Sequence, residues 1–119
     1  MSTEEYSRQG YEQLQKEEYE QARSFFQRAL AEESAHPDSL YGIARAHFKL
    51  EAFDKSIQAF DRLINLVPNN AMIYSERGVA LHWTGNNDLA LADFDKAVAL
   101  EPENPYRYSS RAYIKDRLK

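Results

Sequence analysis

The chain has no cysteine, which excludes disulfides, thiolate metal sites and a cysteine nucleophile. Glycine is scarce, four residues in 119, and no glycine-rich loop is present to cradle a phosphate. No apolar run approaches the roughly 18 residues of a membrane-spanning helix. The opening Met1-Ser-Thr-Glu-Glu-Tyr is acidic and polar where a secretory signal is basic and then apolar. The expectation is a soluble, cytoplasmic protein with no membrane partner. An excess of positive charge is also lacking: the formal net charge is -4, whereas a nucleic-acid binder needs a basic surface. What is there suits a packed interior, with 43% hydrophobic, 13% aromatic and 29% charged residues. The length fits one domain, 1–119.

Self-similarity organises the chain, with a period of 34. Gly10, Ala44, Gly78 and Ala112 form a column of small residues, and Ala22, Ser56 and Ala90 form another. Tyr6, Leu40, Tyr74 and Tyr108 make a column of large side chains, as do Phe26, Phe60 and Phe94. Pro68 and Pro102 keep the same step. The repeats are 3–36, 37–70 and 71–104, and residues 105–118 match the first half of a further unit. Each repeat reads as two helices. Leu40, Ile43, Ala44, His47 and Leu50 have the spacing of one buried helical face, and Phe53, Ile57, Phe60 and Ile64 have it again. The pattern predicts helices over 3–16, 19–33, 37–50, 53–66, 71–84, 87–100 and 105–118. In the third repeat Thr84-Gly85-Asn86-Asn87 should turn the chain, with Gly left-handed and Asn capping the next helix. Asn104 followed by Pro105 is a favoured helix start.

Tyr74, Gly78, Leu81, Ala90, Phe94, Ala97 and Pro102 in the third repeat, with Leu40, Ala44, Phe53, Ser56, Phe60 and Pro68 in the second, resemble the tetratricopeptide repeat. The resemblance covers residues 3–118. It implies an all-α fold, a right-handed superhelical solenoid of antiparallel helix pairs with about seven helices. The small columns would let paired helices approach closely, Gly10 against Ala22 and Gly78 against Ala90, with the phenylalanines filling the space between units. First helices of successive units would then line a concave groove.

With Tyr6, Leu40, Tyr74 and Tyr108 on the core face, a second sector of each first helix should look into that groove. It is not polar. It carries Tyr11 and Leu14, then Tyr41, Arg45 and Phe48, then Met72, Val79, His82 and Trp83, and finally Tyr106 and Tyr113. Aromatic residues, Met and Arg are what recognition surfaces use. The expected groove residues are Tyr11, Tyr41, Arg45, Phe48, Met72, Val79, Trp83, Tyr106 and Tyr113. Against this, Tyr11, Leu14, Phe48 and His82 could equally seal neighbouring first helices. The resemblance extends to a subset of the family that grips chaperone-tail carboxylates with two lysines, asparagine and a terminal arginine on these first-helix slots. Here the corresponding slots hold Ser7, Tyr11, Gly42, Met72 and Glu76. Neither the two lysines nor the terminal arginine is present, and Glu76 would repel a carboxylate, so that ligand is not expected.

Nothing points to catalysis, a cofactor or a metal. His36, His47 and His82 have no metal-ligand spacing, and His47 falls on the core face. Charge is uneven: residues 3–36 hold eight acids against four bases, 71–104 six against two, and 105–119 one against five. The leading expectation is a non-catalytic scaffold whose partner is a peptide or a protein segment in the groove. The alternative is a self-assembling module whose groove is incidental. It would join end to end or form a dimer, such as a weak homodimer through the basic C-terminal helix, where Ile114 and Leu118 lie beside the core sector.

Overall fold

The computed structural model describes residues 1–108 and 111. The chain divides into two compact units, Met1–Leu66 and Val67–Lys119. The first holds α1 (Thr3–Gln15), α2 (Tyr19–Glu32), α3 (Pro37–Lys49) and α4 (Phe53–Leu66); the second holds α5 (Ala71–Trp83) and α6 (Asn87–Leu100). Residues 105–108 are again helical, and the described residues contain no strand. The protein is therefore all-α, built from helix pairs that fold back on one another.

The period has a simple construction. Each repeat is a 13-residue helix, a three-residue turn, a 14-residue helix and a four-residue link. The three turns share one device. Glu17 and Glu51 have φ of 60° and Gly85 has φ of 84°, so the same slot in each repeat is left-handed. The next residue then donates back five positions: Glu18 to the Gln13 carbonyl, Ala52 to His47 and Asn86 to Leu81, at 2.8–2.9 Å. This is the Schellman closure of a helix end. Glycine suits it, but in two repeats a glutamate bears the conformation.

Asparagine behaves as expected at two helix starts and differently at the third. Asn70 accepts from the Met72 and Ile73 amides, and Asn104 accepts from Tyr106. Asn86 makes no cap with its side chain. It donates instead to the Thr84 hydroxyl at 2.8 Å and braces the turn.

The core of each repeat centres on one phenylalanine: Phe26, Phe60 and Phe94 are buried, together with Ala22, Ser56 and Ala90. Each such ring contributes about 1.5–3 kcal/mol by leaving water. The sequence reading set Gly10 against Ala22 and Gly78 against Ala90. The structure seats the phenylalanine ring on the glycine: a Cβ at Gly10 would lie 2.6 Å from Phe26 and one at Gly78 would lie 2.8 Å from Phe94. Glycine is needed there so that the ring, one turn beyond the alanine, can lie flush on the facing backbone. In the second repeat Ser56 donates to the Ala44 carbonyl at 2.8 Å, so the small pair there is in contact as expected.

The column of Tyr6, Leu40, Tyr74 and Tyr108 is not uniformly core. Leu40 is buried, whereas Tyr6 and Tyr74 are half-buried and Tyr108 is exposed. A buried tyrosine must satisfy its hydroxyl. Tyr74 donates to the Pro68 carbonyl at 2.8 Å and Tyr108 to Pro102 at 2.9 Å. The Tyr74 and Tyr108 rings stay at the rim and tie the links 67–70 and 101–104 to the helical residues that follow.

Candidate functional site

In the first unit, Tyr41, Arg45 and Phe48 share one face of α3. Arg45 is exposed and its guanidinium lies 5.6 Å from the centre of the half-buried Tyr41 ring. This stacking presents a charge that stays available to solvent. Phe48 is half-buried and turns edge-on to Phe53 across the α3–α4 turn, with centroids 5.3 Å apart. Tyr11 is half-buried too. Its ring meets Phe26 edge-on at 5.0 Å and its hydroxyl donates to the Asp38 carbonyl. Tyr11 thus binds α1 to the first turn of α3, as the sealing alternative describes.

In the second unit, Met72 is 42% exposed, Trp83 61% and Tyr106 77%, while Val79 is half-buried. His82 accompanies Trp83 at 5.8 Å and pairs through Nδ1 with the Asn87 amide oxygen at 2.9 Å. Leu89, near the start of α6, is also exposed. The sequence reading missed it, having sought recognition residues on first helices. Tyr113, Ile114 and Leu118 lie outside the described residues, as does most of the expected helix 105–118.

Of the chaperone-tail slots, Ser7 is buried and Gly42 is pressed against the Phe26 ring. A side chain at Gly42 would collide with that ring, so this slot is structural. Its periodic partners are Arg8 and Glu76, which is why no column revealed it.

Other polar groupings also form. Arg77 on α5 pairs with the buried Asp93 on α6. At the far end of α6, the Arg107 guanidinium and the Asn104 amide hold the Glu101 carboxyl below the usual carboxylate range. His36, the residue before α3, pairs through Nδ1 with the buried Ser39 hydroxyl at 2.7 Å. Ligand atoms of Glu4, Glu33 and His36 lie within 4.8 Å of one another. No local spacing signalled this cluster, because Glu4 comes from a distant helix start. Two of its donors are exposed carboxylates, and three donors fall short of the four of a closed structural zinc site. His47 lies on the core face of α3, buried, with Nδ1 lacking a hydrogen-bond partner. Burial pushes its imidazole below the ordinary 6.5, and the charges of Arg23 and Lys55 push the same way. Among the described residues, no helix is long and apolar enough to cross a membrane.

Comparison with known proteins agrees with this architecture. The chain is similar to anaphase-promoting complex subunit 3 of Schizosaccharomyces pombe, 26% identical over 109 residues, covering 92% of this chain and 16% of that protein. It thus spans well under a fifth of that relative. Among solved structures, it is similar to the first TPR of Spaghetti (RPAP3) bound to the HSP90 peptide SRMEEVD. That match has a TM-score of 0.92 and 20% identity, over 98% of this chain and 93% of that one. It is also similar to the Yersinia enterocolitica type III secretion chaperone SycD in complex with a peptide of the translocator YopD. There the TM-score is 0.88 with 16% identity, over 98% and 94% of the two chains. Family models described as tetratricopeptide repeat match residues 13–75 and 53–105. With the first match alone spanning more than half of its residues and the same helix-turn-helix construction in each repeat, the chain belongs to the tetratricopeptide repeat family.

Proposed function

We propose that the chain is a non-catalytic interaction module that holds a peptide or a segment of another protein against the outward faces of its first helices. The gripping side chains are Tyr41 and Arg45 in one unit, and Met72, Val79, Trp83 and Tyr106 in the other. The observation that carries this reading is the exposure of Met72, Trp83 and Tyr106 in a chain whose phenylalanines already fill the core. Large apolar side chains left in water cost solubility and recur as binding anchors. Two structural neighbours, the Spaghetti domain and SycD, hold peptides, which supports the same use here. The partner differs in chemistry from an acidic chaperone tail, since the slots of that subset carry Ser7, Tyr11, Gly42, Met72 and Glu76. Phe48 and Tyr11 contribute less directly, by fixing the helices that present the anchors.

The test is selection of peptide ligands from a random display library on the purified chain, followed by affinity measurement with Arg45→Ala and Trp83→Ala. Each substitution should weaken a selected peptide by about tenfold, the loss of one modest anchor, with circular dichroism melts nearly unchanged. Peptides that bind both variants as well as the parent would defeat the reading.

A further inference from the structure

The face of α3 turned away from Tyr41 and Arg45 borders a pocket of about 300 Å³. Leu40, Ile43 and His47 supply its α3 wall, and α2 and α4 supply the rest. This site is separate from the interaction surface proposed above, because residues 40, 43 and 47 form one helical stripe and 41, 45 and 48 another. The volume sits at the small end of ligand pockets.

The lining is sorted by chemistry. Leu30, Leu40 and Ile43 give it an apolar portion, and Gln58, Lys55 and Arg62 bring polar groups from successive turns of α4. No acidic residue lines it. The Arg62 guanidinium is anchored by donation to the Ser34 carbonyl, which occupies one of its five N–H donors. The second observation is His47, 7% exposed, whose ring nitrogen Nδ1 has no hydrogen-bond partner. That nitrogen is enclosed by the fold, so the His47 ring contributes shape to the pocket wall. Arg23 and Lys55 already make the surroundings of the imidazole positive.

We propose that this pocket binds a carboxylate carried on a compact apolar body, with Lys55 and Arg62 holding the carboxylate and Leu30, Leu40 and Ile43 enclosing the body. A lining with two basic side chains and no acidic one favours an anion. The apolar wall selects a carboxylic acid over phosphate, since phosphate exposes polar oxygens on every side and would leave some of them unsatisfied.

The whole chain is titrated with 3-methylbutanoate, with 3-methylbutan-1-ol and inorganic phosphate as controls, while the amide and imidazole resonances are followed by NMR. A short peptide ending in a free leucine carboxylate, beside its C-terminal amide, separates a free acid from a chain terminus as the source. The acid, the free-ended peptide or both should saturably shift Lys55, Gln58 and His47. The alcohol and the amidated peptide should bind about tenfold more weakly, as the loss of one charge-assisted hydrogen bond requires. Lys55→Gln should lose about the same factor, Lys55→Arg should keep binding, and Arg45→Ala on the other stripe should have no effect. Equal binding of acid and alcohol would reduce the pocket to an apolar hole, and equal binding of phosphate would reduce it to diffuse positive charge. Either result, an unchanged Lys55→Gln, or silence from both carboxylates overturns the proposal.

Discussion

Arg77 holds Asp93 with two parallel hydrogen bonds from one edge of its guanidinium, Nε 2.8 Å from Oδ2 and Nη2 2.7 Å from Oδ1. The pair fastens α5 to α6 beside Phe94, and the Arg77 guanidinium also lies 5.7 Å from the centre of the Tyr74 ring. Asp93 is buried while Arg77 keeps some contact with water. Removing the arginine strands a buried carboxylate. Arg77→Ala should therefore cost about 3 kcal/mol, and the paired replacement Arg77→Met with Asp93→Leu should recover much of it. Urea unfolding of the single and double variants measures both.

The left-handed slot gives an opposite pair of effects. Glu17 and Glu51 carry a conformation that disfavours any side chain, so Glu17→Gly and Glu51→Gly should each stabilise by about 1 kcal/mol. Gly85→Ala should lose about as much. Open space surrounds Gly85, so its cost is purely conformational. Thermal melts rank the three, and a stabilising Gly85→Ala would contradict the account.

Overpacking should follow the phenylalanine contacts. Gly42→Ala adds a methyl against Phe26 and should destabilise by about 1–3 kcal/mol, more than the gain of up to about 1 kcal/mol from better helix propensity. Ala90→Leu enters a fully buried position and should cost at least as much. Ala99→Leu, on the exposed face of the same helix, should be nearly neutral. Chemical denaturation of the three tests the assigned helix phase.

His47 predicts a pH dependence. Its folded pKa lies below the ordinary 6.5 through burial and the charges of Arg23 and Lys55, so the unfolded chain takes up its proton first. The stability this imidazole contributes is complete above about pH 6.5 and falls as the pH drops from there through the folded value. His47→Gln should flatten the slope of unfolding free energy just below pH 6.5, where carboxylates are still ionised. An unchanged slope would mean that His47 protonates freely in the folded chain.

Periodicity made the helices legible: the pattern placed α3 at 37–50 and α6 at 87–100, and the structure has Pro37–Lys49 and Asn87–Leu100. A column of identical residue types reports a shared environment, and Phe26, Phe60 and Phe94 share one. What does not repeat stayed hidden. Gly42 supports Phe26 although its periodic partners are Arg8 and Glu76. The Arg77–Asp93 pair stayed hidden because the periodic partners of Asp93 are Phe25 and Ala59, and Glu4 reaches Glu33 and His36 only through the folded path of α1 and α2. Columns also mislead where residue chemistry varies within them, as when Tyr108 stays at the rim to satisfy its hydroxyl while Leu40 is buried. Trp83 and Tyr106 came from helical phase alone and are exposed. Tyr11 came from the same phase and is engaged between α1 and α3.

The Phe26 ring touches backbone on two helices, Gly10 of α1 and Gly42 of α3, while belonging to α2. A ring held in this way leaves no seam along which the first repeat can detach from the next. Loosening α1 uncovers one side of Phe26 and weakens its seat on α3, so opening of the three helices is linked. Amide exchange at their centres should therefore be governed by one shared opening event, with fraying confined to the helix ends. A partner that clamps α3 would then slow exchange in α1 without touching it.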